Sequence, residues 1–176
     1  MCGIWFAKVH NKKHSALIQH RGPDTTTTTI HNEYAFVFHR LAINDLTSDG
    51  NQPLKVNNTT LMCNGEIYNH SFLKSELDTN TDFIGQSDCE PMLHMLDSNV
   101  DKKFLCNSLD GVFAIVAMKD NIVFAARDPI GVRPLYYGID SDDGSLAFSS
   151  EVKGLQGFCE IVQEFPKGHY YSSDTH

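Results

Sequence analysis

Basic residues are scarce in this sequence, 14 Lys and Arg against 22 Asp and Glu, for a formal charge of -8. That balance opposes a polyanion-binding role, because phosphate backbones attract clusters of Lys and Arg, and nucleic acid is not an expected partner. No apolar run approaches the 18 or so residues that a helix needs to cross a bilayer, so no membrane partner is expected either. The stretch Ile4 to Ala7 is too short for the apolar core of a secretory signal, and no basic region precedes it. Cysteine is present five times, at positions 2, 63, 89, 106 and 159, an odd number without a CxxC pair. Neither a disulfide framework nor a metal site is suggested, and a reducing, cytoplasmic setting fits best. Cys63, Cys89, Cys106 and Cys159 read as small buried hydrophobes. Internal repeats and linkers are missing too, apart from the run Thr25 to Thr29, which reads equally as an edge strand or a loop.

What remains is the profile of an ordinary folded unit. The 176 residues, 41% apolar and 20% charged, suffice for one domain spanning 1–176 with a core of its own. Strand-like runs rich in aromatic and branched residues recur at Ile4 to Val9, Ala35 to Leu41, Thr60 to Cys63, Phe113 to Met118, Ile122 to Ala126, Leu135 to Gly138 and Ser145 to Ser149. Asp120-Asn121 between two of them predicts a hairpin. Helices are predicted near His70 to Leu77 and from Asp88 to Leu96, with a shorter third over Ser150 to Leu155. Ser87-Asp88-Cys89-Glu90 has the form of a capping box at the start of the second. Helices set among antiparallel strands predict an α+β layered sandwich.

Four places carry residues suited to chemistry. Cys2 follows the initiator methionine, whose removal is favoured by a small side chain at position 2, and would then hold both a thiol and a free α-amine. One residue would combine nucleophile and base, since the unperturbed values of the two groups, about 8.5 and 7.7 to 8.0, permit proton transfer near neutral pH. Asn64 and Gly65 follow apolar Leu61 and Met62 where a strand is expected to break. There the Asn64 amide and the Gly65 N–H suit an oxyanion hole, although Asn-Gly also forms ordinary tight turns. Arg40 closes an apolar run and requires a partner, either a substrate carboxylate or an internal Asp or Glu. Asp88 and Glu66 are acidic groups near turns, fit to meet a substrate ammonium or simply to cap and be solvated.

Taken together, these residues resemble the class II glutamine amidotransferases, and among them the amino-terminal half of asparagine synthetases. The resemblance is carried by Met1-Cys2-Gly3-Ile4, His20-Arg21-Gly22-Pro23-Asp24, Arg40-Leu41-Ala42-Ile43, Asn51-Gln52-Pro53-Leu54, Asn64-Gly65-Glu66-Ile67-Tyr68-Asn69, Ser87-Asp88-Cys89-Glu90, Leu109-Asp110-Gly111, Arg127-Asp128-Pro129-Ile130-Gly131 and Arg133-Pro134-Leu135-Tyr136-Tyr137-Gly138. It continues through Ser149-Ser150-Glu151-Val152-Lys153 and Phe165-Pro166-Lys167-Gly168.

It implies a four-layer αββα sandwich of the N-terminal-nucleophile hydrolase type and glutamine as substrate, with Cys2 as nucleophile and Asn64 with Gly65 as oxyanion donors. Arg40 would hold the substrate carboxylate, Asp88 and Glu66 would meet its amine, and Leu41, Ile43 and Asn44 would border the pocket. The segment Arg21 to Asp24 would shape the mouth with little chemistry of its own. No cofactor is implied. The Ser-Gly-Gly-x-Asp-Ser pyrophosphate loop of a synthetase is not among these residues, so ammonia would pass to a separate ATP-dependent synthetase chain or domain. A catalytically silent module of the same shape, serving binding or regulation, is the alternative.

Overall fold

The computed structural model describes residues 1–8, 11–43 and 45–175. In chain order its strands are β1 (Gly3–Ala7), β2 (Thr25–His31), β3 (Tyr34–Arg40), β4 (Leu54–Val56), β5 (Thr59–Ile67), β6 (Gly111–Lys119), β7 (Ile122–Arg127), β8 (Tyr136–Asp140), β9 (Leu146–Ser149), β10 (Cys159–Glu164) and β11 (Tyr170–Ser172). Its α-helices are α1 (Lys12–Ala16), α2 (His70–Ser75), α3 (Glu90–Asp97) and α4 (Lys102–Ser108). The strands form a six-stranded sheet in the order β10-β8-β9-β1-β3-β2 and a five-stranded sheet in the order β11-β7-β6-β5-β4. All the pairings between these strands are antiparallel.

Alternation along the strands explains the layers, because successive side chains leave a strand on opposite faces. Ile4 and Phe6 of β1, Met62 of β5 and Ala114, Val116 and Met118 of β6 fill the space between the sheets together with Phe36, Phe38 and Phe148. Trp5 and Ala7 turn the other way, onto Ile18 and Leu155 outside the six-stranded sheet, where the Trp5 indole N–H donates to the Gly154 carbonyl at 2.7 Å. Cys63, Ile115 and Ala117 face outward from the five-stranded sheet onto Leu73 of α2, Met92, Leu93 and Met95 of α3 and Leu105 of α4. Strands apolar on both faces thus lie beneath an α layer on each side, the expected αββα arrangement. Fully burying a Phe or Leu side chain here contributes roughly 1.5 to 3 kcal/mol.

Several expectations are corrected in detail. The strand expected to end at Cys63 continues through Asn64 and Gly65 to Ile67, in register with β6 as far as Gly111, so Asn64-Gly65 is not a turn. Gly65 permits that continuation: a Cβ there would overlap the Val112 carbonyl oxygen and lie 2.7 Å from the Phe113 Cα. The capping box does not close. α3 begins at Glu90 with Pro91 in its first turn, Ser87 Oγ accepts from the Cys89 N–H at 3.3 Å, and the Glu90 carboxylate accepts from the Ile84 and Gly85 N–H groups instead. The third predicted helix is only a single 3-10 turn, Val152–Gly154. The threonine run is an edge strand, paired among the described residues to β3 alone. The hairpin at Asp120-Asn121 is present, with Asp120 at φ 53°. Val9, expected to end the first strand, lies outside the described residues. Strands β4, β10 and β11 and helices α1 and α4 carry no clear pattern in the sequence, being short or amphipathic over few residues.

Candidate active site

Cys2 precedes β1, which is central in its sheet, and Arg40 ends the neighbouring β3. β5 of the facing sheet carries Asn64, Gly65 and Glu66, while Asp88 stands two residues before α3. The layering brings the corresponding ends of these elements to one side of the sandwich. There Cys2, Arg40, Leu41, Ile43, Asn64, Gly65, Glu66 and Asp88 all line a single cleft of about 80 Å³. Asn44, expected at the same border, lies outside the described residues.

The Cys2 sulfur is half-buried and sits against the backbone of Leu41, whose N–H donates to it at 3.4 Å while the thiol faces the Leu41 carbonyl at 3.5 Å. Burial pushes the thiol up from its ordinary value; the Leu41 backbone, the terminal amine and Arg40 only partly offset this. A sulfur held in its thiol form needs a base beside it before it can attack. The main chain of Cys2 is tied as well, since Arg21 Nε donates to its carbonyl at 3.0 Å and Arg21 Nη1 pairs with Glu151 at 3.0 Å. Arg21 therefore anchors the backbone of Cys2, a more direct part than the shaping of the mouth expected from the sequence.

Asn64 is almost fully buried, and its side-chain N–H2 meets no acceptor among the described residues. A buried amide without a partner is costly, roughly 1 to 3 kcal/mol, and is rare in folded proteins unless a ligand or reacting atom supplies the acceptor. Nearby, Gln52 mimics a strand for Cys63, donating to its carbonyl at 3.1 Å and accepting from its N–H at 2.6 Å, which fixes the backbone just ahead of Asn64.

Arg40 is neither free nor paired with an acid. Its guanidinium donates to the Thr47 carbonyl and Asn51 Oδ1, both at 2.7 Å, and to the Asp45 carbonyl, and among the described residues no carboxylate lies within ion-pair distance of it. Three of five N–H donors are so engaged, which leaves two. Gly50 makes room for this group, because a Cβ there would collide with Nη2. The Asp45 carboxylate, held below the usual range chiefly by the Thr47 hydroxyl and also by the Gln86 and Thr47 N–H groups, joins this loop to the one before α3. Asp88 accepts from the Ile67 N–H at 2.7 Å, and Glu66 faces Arg133 at 3.8 Å.

The cleft also holds residues that the sequence did not place in a site: Gln52, Ser87, Cys63, Cys89 and Arg133. Gln52 and Arg133 belong to segments quoted above, yet residue type and spacing alone do not reveal that distant loops point them inward. The adjacent Cys63 thiol, together with burial, pushes the Cys89 thiol well up, and burial pushes Cys106 and Cys159 up to about 11. Cys63 and Cys89 are buried as expected, whereas Cys106 and Cys159, expected to be buried too, are only partly so. Among the described residues no group of three or more His, Cys, Asp or Glu is placed to hold a metal ion, and no helix is long and apolar enough to cross a membrane.

A thiol, a buried amide unmet among the described residues, two arginines and three carboxylates thus surround one small cleft. Residues 1–172 match the sequence model of the family described as glutamine amidotransferase domain. The chain belongs to that family. Among known proteins, the amidotransferase domain is 41% identical over 189 residues to asparagine synthetase [glutamine-hydrolyzing] from Zea mays, covering 99% of this chain and 31% of that protein. It is 44% identical over 167 residues to the probable asparagine synthetase [glutamine-hydrolyzing] from Dictyostelium discoideum, covering 92% of this chain and 29% of that protein. The chain thus spans about a third of the length of these relatives. In architecture it resembles the allosteric regulatory enzyme of purine biosynthesis, with TM-score 0.71, 22% identity, and coverage of 98% of this chain and 46% of that one. It also resembles glutamine phosphoribosylpyrophosphate amidotransferase from B. subtilis, with TM-score 0.68, 20% identity, and coverage of 98% and 47%. At such identity these two likenesses speak for the fold alone.

Proposed function

We propose that this domain hydrolyses glutamine to glutamate and ammonia through a thioester on Cys2. The observation that carries the reading is the buried Asn64 amide, without an acceptor among the described residues, in the same cleft as the Cys2 sulfur. With Met1 removed, the α-amine of Cys2 takes the thiol proton as the sulfur attacks the side-chain carbonyl carbon of glutamine. The Leu41 N–H supports the developing thiolate, and the tetrahedral oxygen receives the Asn64 N–H2 and the Gly65 N–H. The amine then passes its proton to the departing nitrogen, ammonia leaves, and water cleaves the thioester. The two N–H groups that Arg40 retains take the α-carboxylate, Asp88 and Glu66 take the α-ammonium, and Leu41 and Ile43 form the border. The names of the relatives support delivery of the ammonia to a synthetase-type, ATP-dependent reaction on another chain or domain. Five cysteines without a disulfide suit a cytoplasmic location.

The test is ammonia release from glutamine by purified protein, together with intact mass after incubation with a glutamine analogue that carries a side-chain electrophile. Loss of the Met1 mass and a single adduct on Cys2 are expected. Cys2→Ala should abolish turnover while the thermal unfolding midpoint stays within a few degrees; undiminished turnover in that variant refutes the proposal.

A further inference from the structure

Arg133 has no part in the mechanism above, yet its placement is controlled closely. Asp128, almost fully buried, accepts backbone N–H groups at both carboxylate oxygens. Ile130, Gly131 and Val132 donate to Oδ1 at 3.1, 2.6 and 3.0 Å, and Phe113 and Arg133 donate to Oδ2 at 3.3 and 3.1 Å. From the other side, the Arg133 carbonyl accepts from Arg127 Nε at 2.8 Å. The backbone at 133 is therefore clamped. Its side chain enters the cleft, 17% exposed, with one ion-pair partner among the described residues: Glu66. The Arg133 Nε–H is buried and has no acceptor there, and no hydrogen bond among the described residues engages this guanidinium, whereas three of the five N–H donors of Arg40 are engaged.

The two acids offered to the ammonium are held in different ways. Asp88 is fixed by its bond to the Ile67 N–H. Glu66, with its side chain 40% exposed, has among the described residues only Arg133 to keep it from swinging into solvent. At 3.8 Å the pair is too long for a hydrogen bond, so Arg133 orients the carboxylate by charge and leaves its lone pairs open to an incoming donor.

We infer that Arg133 is a positioning residue for Glu66, and that through it the domain prefers glutamine to analogues lacking the α-amino group. The inference rests on the reading of Glu66 as an ammonium ligand.

The experiment measures steady-state ammonia release from glutamine and from 4-carbamoylbutanoate, which is glutamine without its amino group. The wild type is compared with Arg133→Met, Arg133→Gln, Arg133→Lys, Glu66→Gln and the double variant, with thermal unfolding as the check on folding. Arg133→Met and Arg133→Gln should raise KM for glutamine about two- to fivefold, the range open to a partly exposed ion pair, with kcat within about twofold. KM for the analogue should not change. Arg133→Lys should restore part of the preference, and Arg133→Met should add nothing once Glu66 is Gln. Equal changes for both substrates, a loss confined to kcat, or additive effects in the double variant would overturn the inference. If Glu66→Gln lowers the preference and Arg133→Met does not, the inference alone fails. If Glu66→Gln leaves it unchanged, the reading of Glu66 fails and takes the inference with it.

Discussion

Replacing Asn64 with Ala separates a group kept for chemistry from one kept for the fold. In the free protein the side-chain N–H2 makes no hydrogen bond among the described residues, so its removal relieves a desolvation cost of roughly 1 to 3 kcal/mol. Against that stands the small cavity left inside β5, which costs about 1 kcal/mol. The backbone register with β6 does not involve the side chain, and so the net change in stability should be near zero, with the unfolding midpoint moving by only a few degrees. In the reaction the same group is one of two proposed donors to the tetrahedral oxygen. Losing one such donor removes about 2.7 to 4 kcal/mol of transition-state stabilisation, a drop of about 10² to 10³ in kcat. KM should change little, because a ground-state carbonyl places less charge on that oxygen. Glutamate formation, followed in a coupled dehydrogenase assay alongside a melt of the same sample, reads both quantities. Asn64→Asp keeps the shape but sets a negative charge where the oxyanion forms, and should be at least as inactive. A kcat within threefold of wild type, or a stability loss above about 3 kcal/mol that accounts for the missing activity, would show that the amide serves the strand and not the reaction.

Arg40→Lys should raise KM for glutamine by roughly 30-fold, about 2 kcal/mol, because a lysine cannot bridge Thr47, Asn51 and Asp45 and still offer a fork to a carboxylate; an unchanged KM counts against its role. Gly65→Ala should cost about 1 to 3 kcal/mol in urea unfolding and suppress activity, since the added methyl group meets the Val112 carbonyl and β5 must shift away from β6. Asp128→Asn should destabilise by about 3 kcal/mol or more, because an amide N–H2 would then face N–H donors across the loop that carries Arg133. Burial alone would raise the Asp128 carboxyl, but the N–H groups of Val132, Arg133, Gly131 and Phe113 outweigh it and hold it below its ordinary value. A depressed folded value adds stability above the unfolded value of about 3.9, and that stability is lost as pH falls through the folded value. The difference between wild type and Asp128→Asn should therefore be widest near neutral pH and close below about pH 4; a difference that stays constant with pH refutes the assignment.

The residues proposed to carry chemistry were legible because each is odd for its neighbourhood: a cysteine behind Met1, an arginine ending an apolar run, an asparagine and a glycine following another. Continuous runs of aromatic and branched residues likewise revealed most of the central strands, where both faces are apolar. Short edge elements such as β4, β10 and β11 bury few side chains and leave little trace. The local signal misled at Asn64-Gly65, which has turn chemistry, since pairing with β6 over the whole of β5 outweighs the propensity of two residues. It misled again at Ser87 to Glu90, where the glutamate finds better donors at Ile84 and Gly85 than at the helix start.

The sequence by itself determined which groups this chain can bring to a reaction and that helices are set among antiparallel strands in layers, because residue type and runs of apolar residues are local properties. Which of those groups meet was decided only by tertiary structure. The anchoring of the Cys2 backbone by Arg21 and the placement of Arg133 beside Glu66 each join segments distant in the chain, and no local pattern encodes a contact whose two halves are set by the packing of separate sheets and loops.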